Sequence, residues 1–388
     1  MDFAFTPQEE AFRVELRRFL HEELPSWWRG MFVDDARAIP ATREVCAKLA
    51  ERGWLTMAWP PEFGGSGASI WFQAIVREEM WAHEEPRGPQ YMNLNYIGPM
   101  IMRFGTPDQQ QRFLPPMARG EVIWCQGFSE PEAGSDLASL RTRAVDHGDH
   151  FIVDGRKIWT SYADAPAEWC LLLVRTTQGG PKHHGISVLL VDMTTPGITV
   201  RPIDTMAGPH EFNELTFDGV EVPRDCLLGP QDGGWDLIVT GLSFERAGIA
   251  RYARAGAVTE MLVEWANETG RSQDPEVRCK LAELRAAYEA ARLLTYRALS
   301  IQATGAVPTT EASIARIHNG QLEQMVSQVG LELLGPTGVL GPDDRWAPLA
   351  GAVRRYWTRN VPTTIASGTL EVQKNVVAQR GLGLPRGG

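Results

Sequence analysis

Two stretches of this 388-residue chain gather residue types that suit one kind of chemistry. In Trp124-Cys-Gln-Gly-Phe-Ser-Glu-Pro-Glu-Ala-Gly-Ser-Asp-Leu137 and Gly155-Arg-Lys-Ile-Trp-Thr-Ser161, apolar and aromatic residues alternate with glycine and small hydroxyl residues. Such a backbone presents N–H and O–H donors to a large, flat, polar-edged ligand. Taken singly, Trp159 also reads as a core aromatic at a strand end, and Ser129 and Ser135 as ordinary turn residues. A third place concerns a carboxylate. Read as a helix, Trp235, Ile238, Leu242, Ile249 and Tyr252 form an apolar stripe at steps of three and four, with Glu245 in its middle. A carboxylate on a core-facing stripe is either paired or perturbed, and burial raises its pKa toward what a general base needs. A structural salt bridge with Arg246 or another arginine is the competing reading.

The elements that must position these residues change character twice. Residues 1 to about 122 read as helical. Thr6-Pro-Gln-Glu-Glu is a helix start with Thr6 as cap, and Phe12, Leu16, Phe19 and Leu20 follow at helical spacing. Thr106-Pro-Asp-Gln-Gln starts another, and Trp59-Pro-Pro-Glu-Phe-Gly-Gly-Ser-Gly67 is a loop rather than a dinucleotide fingerprint, because no strand precedes it. From 123 to about 228 come short β-rich runs at Phe151, Trp169–Val174, Ile186–Val191, Ile198 and Leu215, punctuated by Gly, Pro and Asp. That pattern predicts a small antiparallel barrel or sandwich. From 229 to 388 the helical period returns, notably in 281–294 and 314–334, as in a bundle. The expected fold is α+β and multidomain, in the order helical, β, helical.

Composition excludes some functions. Hydrophobic residues are 43% and charged residues 22%, ordinary for a globular protein, and the net charge of −10 with no basic stripe argues against nucleic acid. Lysine occurs only at Lys48, Lys157, Lys182, Lys280 and Lys374. The five cysteines lack zinc-site spacing and fit a reducing cytoplasm, and His183-His184 reads as an exposed loop. The acidic start lacks the features of a secretory signal, and no apolar run approaches the ~18 residues of a membrane span. A cytoplasmic protein is expected.

The two stretches, the Trp59 loop and the α, β, α order together resemble the acyl-CoA dehydrogenase superfamily over essentially the whole chain. The resemblance implies FAD, an acyl-CoA substrate and a 2-enoyl thioester product. Such a reaction needs a base for the α-proton, an acceptor for the β-hydride that no side chain supplies, and donors to the thioester oxygen. By resemblance, Phe128 and Ser129 meet the pyrimidine edge of the flavin, and Ser135 the pyrophosphate and substrate. Trp159 packs on the ring system beside Thr160, Ser161 donates to N5, and Thr369 and Glu371 contribute from the C-terminal loop. Arg271 stands near where many members supply an arginine to the cofactor of a neighbouring subunit, although the phenylalanine that usually follows is missing. Many members place a catalytic Glu immediately before Gly-Thr in the C-terminal loop; this chain has Ser367 there. A subset places it on a helix just ahead of an arginine, which corresponds to Glu245-Arg246. Ser367 and Gly368 would then contribute backbone to the thioester oxygen, with Ser243 and Arg246 near the substrate, and Tyr91-Met-Asn-Leu-Asn-Tyr-Ile-Gly-Pro-Met100 near the acyl tail.

The resemblance further implies a homo-oligomer, dimer or tetramer, and reoxidation by an electron-transfer flavoprotein or similar acceptor. An oxygen-using oxidase or monooxygenase on the same fold, and a flavin-binding subunit of a hetero-oligomeric dehydrogenase, remain alternatives.

Overall fold

The computed structural model describes the chain except residues 1–3, 34, 166, 209–210, 246–247 and 386–388, together with the side chains of 242–245. The N-terminal third is helical, with α1 (Pro7–Glu23), α2 (Ala38–Glu51), α3 (Ile70–Ala82), α4 (Gly98–Phe104) and α5 (Pro107–Ala118). Both expected caps are present. Thr6 Oγ1 accepts from the Glu9 amide while the Glu9 carboxylate accepts from the Thr6 amide, and Thr106 and Gln109 form the same reciprocal box. Phe12, Leu16, Phe19 and Leu20 are the buried face of α1.

Eight strands follow: β1 (Trp124–Gly127), β2 (Arg143–Asp146), β3 (His150–Ser161), β4 (Trp169–Arg175), β5 (Ile186–Asp192), β6 (Ile198–Pro202), β7 (Phe212–Pro223) and β8 (Leu227–Leu228). They form one sheet in the order β6-β7-β3-β2-β4-β5-β8, with β1 also on β4. The sheet departs from the antiparallel expectation: β1 and β2 both run parallel to β4, so it is mixed. Local alternation cannot report this, since a strand carries the same period in either pairing.

The remaining helices are α6 (Gly234–Glu245), α7 (Ile249–Glu268), α8 (Pro275–Ala303), α9 (Thr310–Leu334), α10 (Ala352–Asn360) and α11 (Leu370–Val376). The single helical stripe expected from Trp235 to Tyr252 is corrected here. Helix α6 is described as far as Glu245, and α7 starts after Gly248, whose φ of 75° lies in the left-handed region and breaks the helical path. Ile238, Ile249 and Tyr252 are nonetheless buried.

The chain divides into two compact units. One comprises 1–20, 70–84 and 246–388, and the other 21–69 and 85–245. The core of the first is built on α3 and α7–α10, with Tyr252, Leu262, Leu284 and Val326 fully enclosed; that of the second is centred on the sheet, with Trp124, Phe151, Leu171 and Leu190.

Candidate active site

In the second unit, the chain leaving β1 is held by its carbonyl oxygens. The Phe128 carbonyl accepts from Lys157 Nζ at 3.1 Å, the Ser129 carbonyl from the Ile158 amide at 2.9 Å, and the Glu130 carbonyl from the Ala133 amide at 3.0 Å. Strand β3 is irregular where it faces this loop. Lys157 pairs with Leu215 and Thr160 with Asn213, so β3 carries one extra residue, a bulge. The bulge lets Lys157 and Thr160 both point inward and turns Trp159 out: its φ is 62° and its side chain is 54% exposed. A bulky residue in the left-handed region is strained, and such strain concentrates at functional sites. The indole meets Phe212 edge to face at 5.9 Å, leaving most of the ring uncovered. Ser161 is half-buried beside it, and Ser135 is exposed in the turn after Ala133.

Lys157 is fully enclosed. It donates to the Glu130 carboxylate at 2.8 Å, and that carboxylate also accepts from the Arg141 amide at 2.6 Å and the Thr142 amide at 2.8 Å. Burial pushes the Lys157 ammonium down to about 8 against the opposing pull of Glu130. For Glu130, burial acts to raise the pKa, but Lys157 and the bonds from Thr142 outweigh it and hold the carboxyl below its ordinary value. Neither residue stood out among the sequence candidates. The available signal was a lysine, rare in this chain, inside a strand.

A single turn of π-helix at Asn93–Ile97 packs nearby. Asn93 fixes the start of β1, accepting from the Trp124 amide and donating to the Val122 carbonyl. The Tyr96 ring stands edge to face with Phe128 at 6.1 Å. On α6, Gly241 faces the same ring: a Cβ there would lie 2.7 Å from Tyr96 Cε2 and 2.5 Å from Met100 Sδ, so this position needs glycine. Glu245 lies one turn further on in α6. The side chains of Ser243 and Glu245, and Arg246 altogether, lie outside the described residues.

In the first unit, the C-terminal loop is braced from α9. Arg316 donates to the Thr363 carbonyl at 2.6 Å and the Ala366 carbonyl at 2.7 Å. The chain then turns through Ser367, with φ of 58°, and Gly368, with φ of 87°. Ser367 is exposed, and a Cβ on Gly368 would lie 2.5 Å from Gln373 Nε2, so the turn is built for glycine there. Thr369 caps α11 by accepting from the Val372 amide, and Glu371 is exposed in its first turn. Arg271 is half-exposed, 3.9 Å from Asp274, the residue that caps α8. Sequence reasoning missed Arg316, whose buried place on α9 no local pattern signals.

An uncovered indole on a bulge beside a tied-down loop, with helical elements before and after a mixed sheet, is an arrangement suited to a flat organic cofactor. Comparison with known proteins gives the class its name. The N-terminal, middle and C-terminal domain models of acyl-CoA dehydrogenase match residues 6–121, 125–220 and 232–382. The acyl-CoA dehydrogenase IpdE1 of Mycobacterium tuberculosis is 32% identical, over 97% of this chain and 98% of its own length. Among solved structures, the Tcur3481-Tcur3483 steroid ACAD superimposes with a TM-score of 0.91 at 33% identity, and the ChsE4-ChsE5 complex of M. tuberculosis with 0.88 at 34%, each over the whole of both chains. The chain belongs to the acyl-CoA dehydrogenase family; it is an FAD-dependent oxidoreductase that dehydrogenates an acyl-CoA thioester. No helix among the described residues is long and apolar enough to cross a membrane.

The residues present fit the cofactor. Trp159 offers an open aromatic face at the strained end of β3, and the half-buried Ser161 follows it by two residues. When bound, FAD supplies the acceptor for the β-hydride.

Proposed function

We propose that Glu245 is the base that removes the α-proton of the acyl thioester. The observation that carries this reading is the exchange of positions: a serine occupies the C-terminal loop site before Gly368-Thr369, and a carboxylate stands on α6 one turn beyond the glycine packed on Tyr96 and Met100. A serine hydroxyl is too weak a base without a partner. Ser367 and Gly368 contribute backbone N–H to the thioester oxygen, where enolate-like charge develops. Phe128, Ser129, Ser135, Thr160 and Ser161 hold and orient the cofactor with Trp159 on its face. Thr369, Glu371 and Arg271 serve it from the C-terminal region, and Ser243 and Arg246 flank the substrate. The three functional segments run 1–122, 123–228 and 229–388.

The acyl group is bulky and ringed, of the steroid-derived kind named for the similar Tcur3481-Tcur3483 enzyme. The protein works as a cytoplasmic oligomer. The two-protein names of the similar complexes favour a second, unlike dehydrogenase subunit over a homotetramer. Reduced FAD passes electrons to an electron-transfer flavoprotein rather than to oxygen.

The test is an anaerobic titration of the purified holoprotein with straight-chain, branched and steroid-ring acyl-CoAs, alone and with a candidate partner subunit. Bleaching of the flavin by the ringed thioesters in preference to short straight chains is expected. Preferential bleaching by a short straight chain would contradict the substrate assignment.

A further inference from the structure

The ion pair beneath the Phe128–Glu130 loop has a geometry that a simple core filler does not require. Lys157 and Glu130 are 0% and 6% exposed at their side chains, and a buried pair of this kind is often no more stabilising than a well-packed apolar replacement. Its bonds are specific in what they hold. Lys157 spans from β3 to the carbonyl of Phe128, while the Glu130 carboxylate collects the amides of Arg141 and Thr142 at the entry to β2. The neighbouring Ser129 carbonyl is tied to Ile158, the residue between Lys157 and the outward-turned Trp159. One cluster therefore fixes the peptide planes of the loop and the bulge that presents the indole.

We propose that Lys157 and Glu130 are positioning residues for the flavin, setting the direction of the Ser129 amide through the Phe128 carbonyl, and the stance of Trp159. This rests on the reading that these three residues meet the cofactor. Lys157 and Glu130 are both enclosed beneath the loop. The pair acts through the loop backbone, because rotation of the Phe128–Ser129 peptide moves the carbonyl held by Lys157 and the opposing N–H together.

The experiment compares the parent with Lys157→Met/Glu130→Gln, which removes both charges without leaving one stranded, with Glu130→Gln alone, and with Trp159→Leu. FAD dissociation constants and the visible flavin spectrum are measured on reconstituted apoprotein, and urea unfolding on the apoprotein alone. The double variant should bind FAD roughly ten- to hundredfold more weakly, the equivalent of losing a hydrogen bond from a charged donor, with a shifted flavin band and near-parental apoprotein unfolding at neutral pH. Glu130→Gln, which keeps the Lys157 bond to Phe128, should lose about threefold or slightly more.

Parental affinity and spectrum in the double variant, with Trp159→Leu weakened, would overturn the pair's role and leave the flavin reading intact. Parental affinity in all the variants would overturn both. Should the double variant not fold, Glu130→Gln decides: a spectral shift with weaker binding supports the role, and unchanged affinity and spectrum contradict it.

Discussion

At Lys157 an ammonium sits inside a sheet with Glu130 against it, Cys170 and Arg175 acting from β4, and the Phe128 carbonyl as its remaining partner. The consequence for pH follows from the direction of the shift. Its folded pKa of about 8 lies below the ordinary 10.5, so between these values the unfolded chain binds more protons and folding stability rises with pH. The span is worth on the order of 3 kcal/mol. Glu130 is depressed below its ordinary 4.5, so its contribution is present above that value and is lost as pH falls through its folded pKa. In urea unfolding of the apoprotein, the parent minus the doubly neutral Lys157→Met/Glu130→Gln variant should therefore climb between about pH 8 and 10.5. A flat or falling difference there would contradict the assignment. Residue types alone mark Trp159 and Ser129 as candidates, because aromatic, glycine and hydroxyl residues cluster around them. The bulge that turns Trp159 outward and Lys157 inward is a matter of pairing register with β7, which no local spacing encodes.

Among the elements, α1, α3, α7 and α8 are joined by one buried carboxylate. Glu78 on α3 accepts from Tyr252 at 2.5 Å and Tyr296 at 2.6 Å, and pairs with Arg13 at 2.7 Å. Its neighbour Glu79 takes Arg13 and Arg17. Burial first, then the Glu78 charge, holds both tyrosines well above the ordinary tyrosine range, so they remain donors. Glu78→Ala removes the shared acceptor of two buried hydroxyls and one of the two carboxylate partners of Arg13, and should destabilise the protein by roughly 3–5 kcal/mol. Tyr252→Phe leaves the carboxylate two partners and should cost about 1.5–3 kcal/mol. Chemical denaturation of both variants checks the order, and a Tyr252→Phe loss equal to that of Glu78→Ala would contradict a shared network. The ends of α1 and α5 are legible because a capping box is local chemistry. The break between α6 and α7 is not, because apolar residues keep helical spacing across it and the turn depends on the backbone of Gly248.

At the scale of the molecule, the helical, β, helical order is readable from the change of hydrophobic period. The compact units are not, since one joins α1 and α3 to helices beyond the whole β segment in sequence, through packing between distant segments. In the proposed function the base is Glu245 on α6, since a serine, Ser367, precedes Gly368-Thr369 in the C-terminal loop. The most direct measurement is stopped-flow reduction of bound FAD under anaerobic conditions, with the acyl-CoA that bleaches the parent best, in the parent and in Glu245→Gln. The amide keeps shape and hydrogen bonding but cannot take a proton, so FAD content should be unchanged while the reduction rate falls by a factor on the order of 10²–10⁴. Reduction at close to the parental rate would show that the base lies elsewhere and would contradict the account.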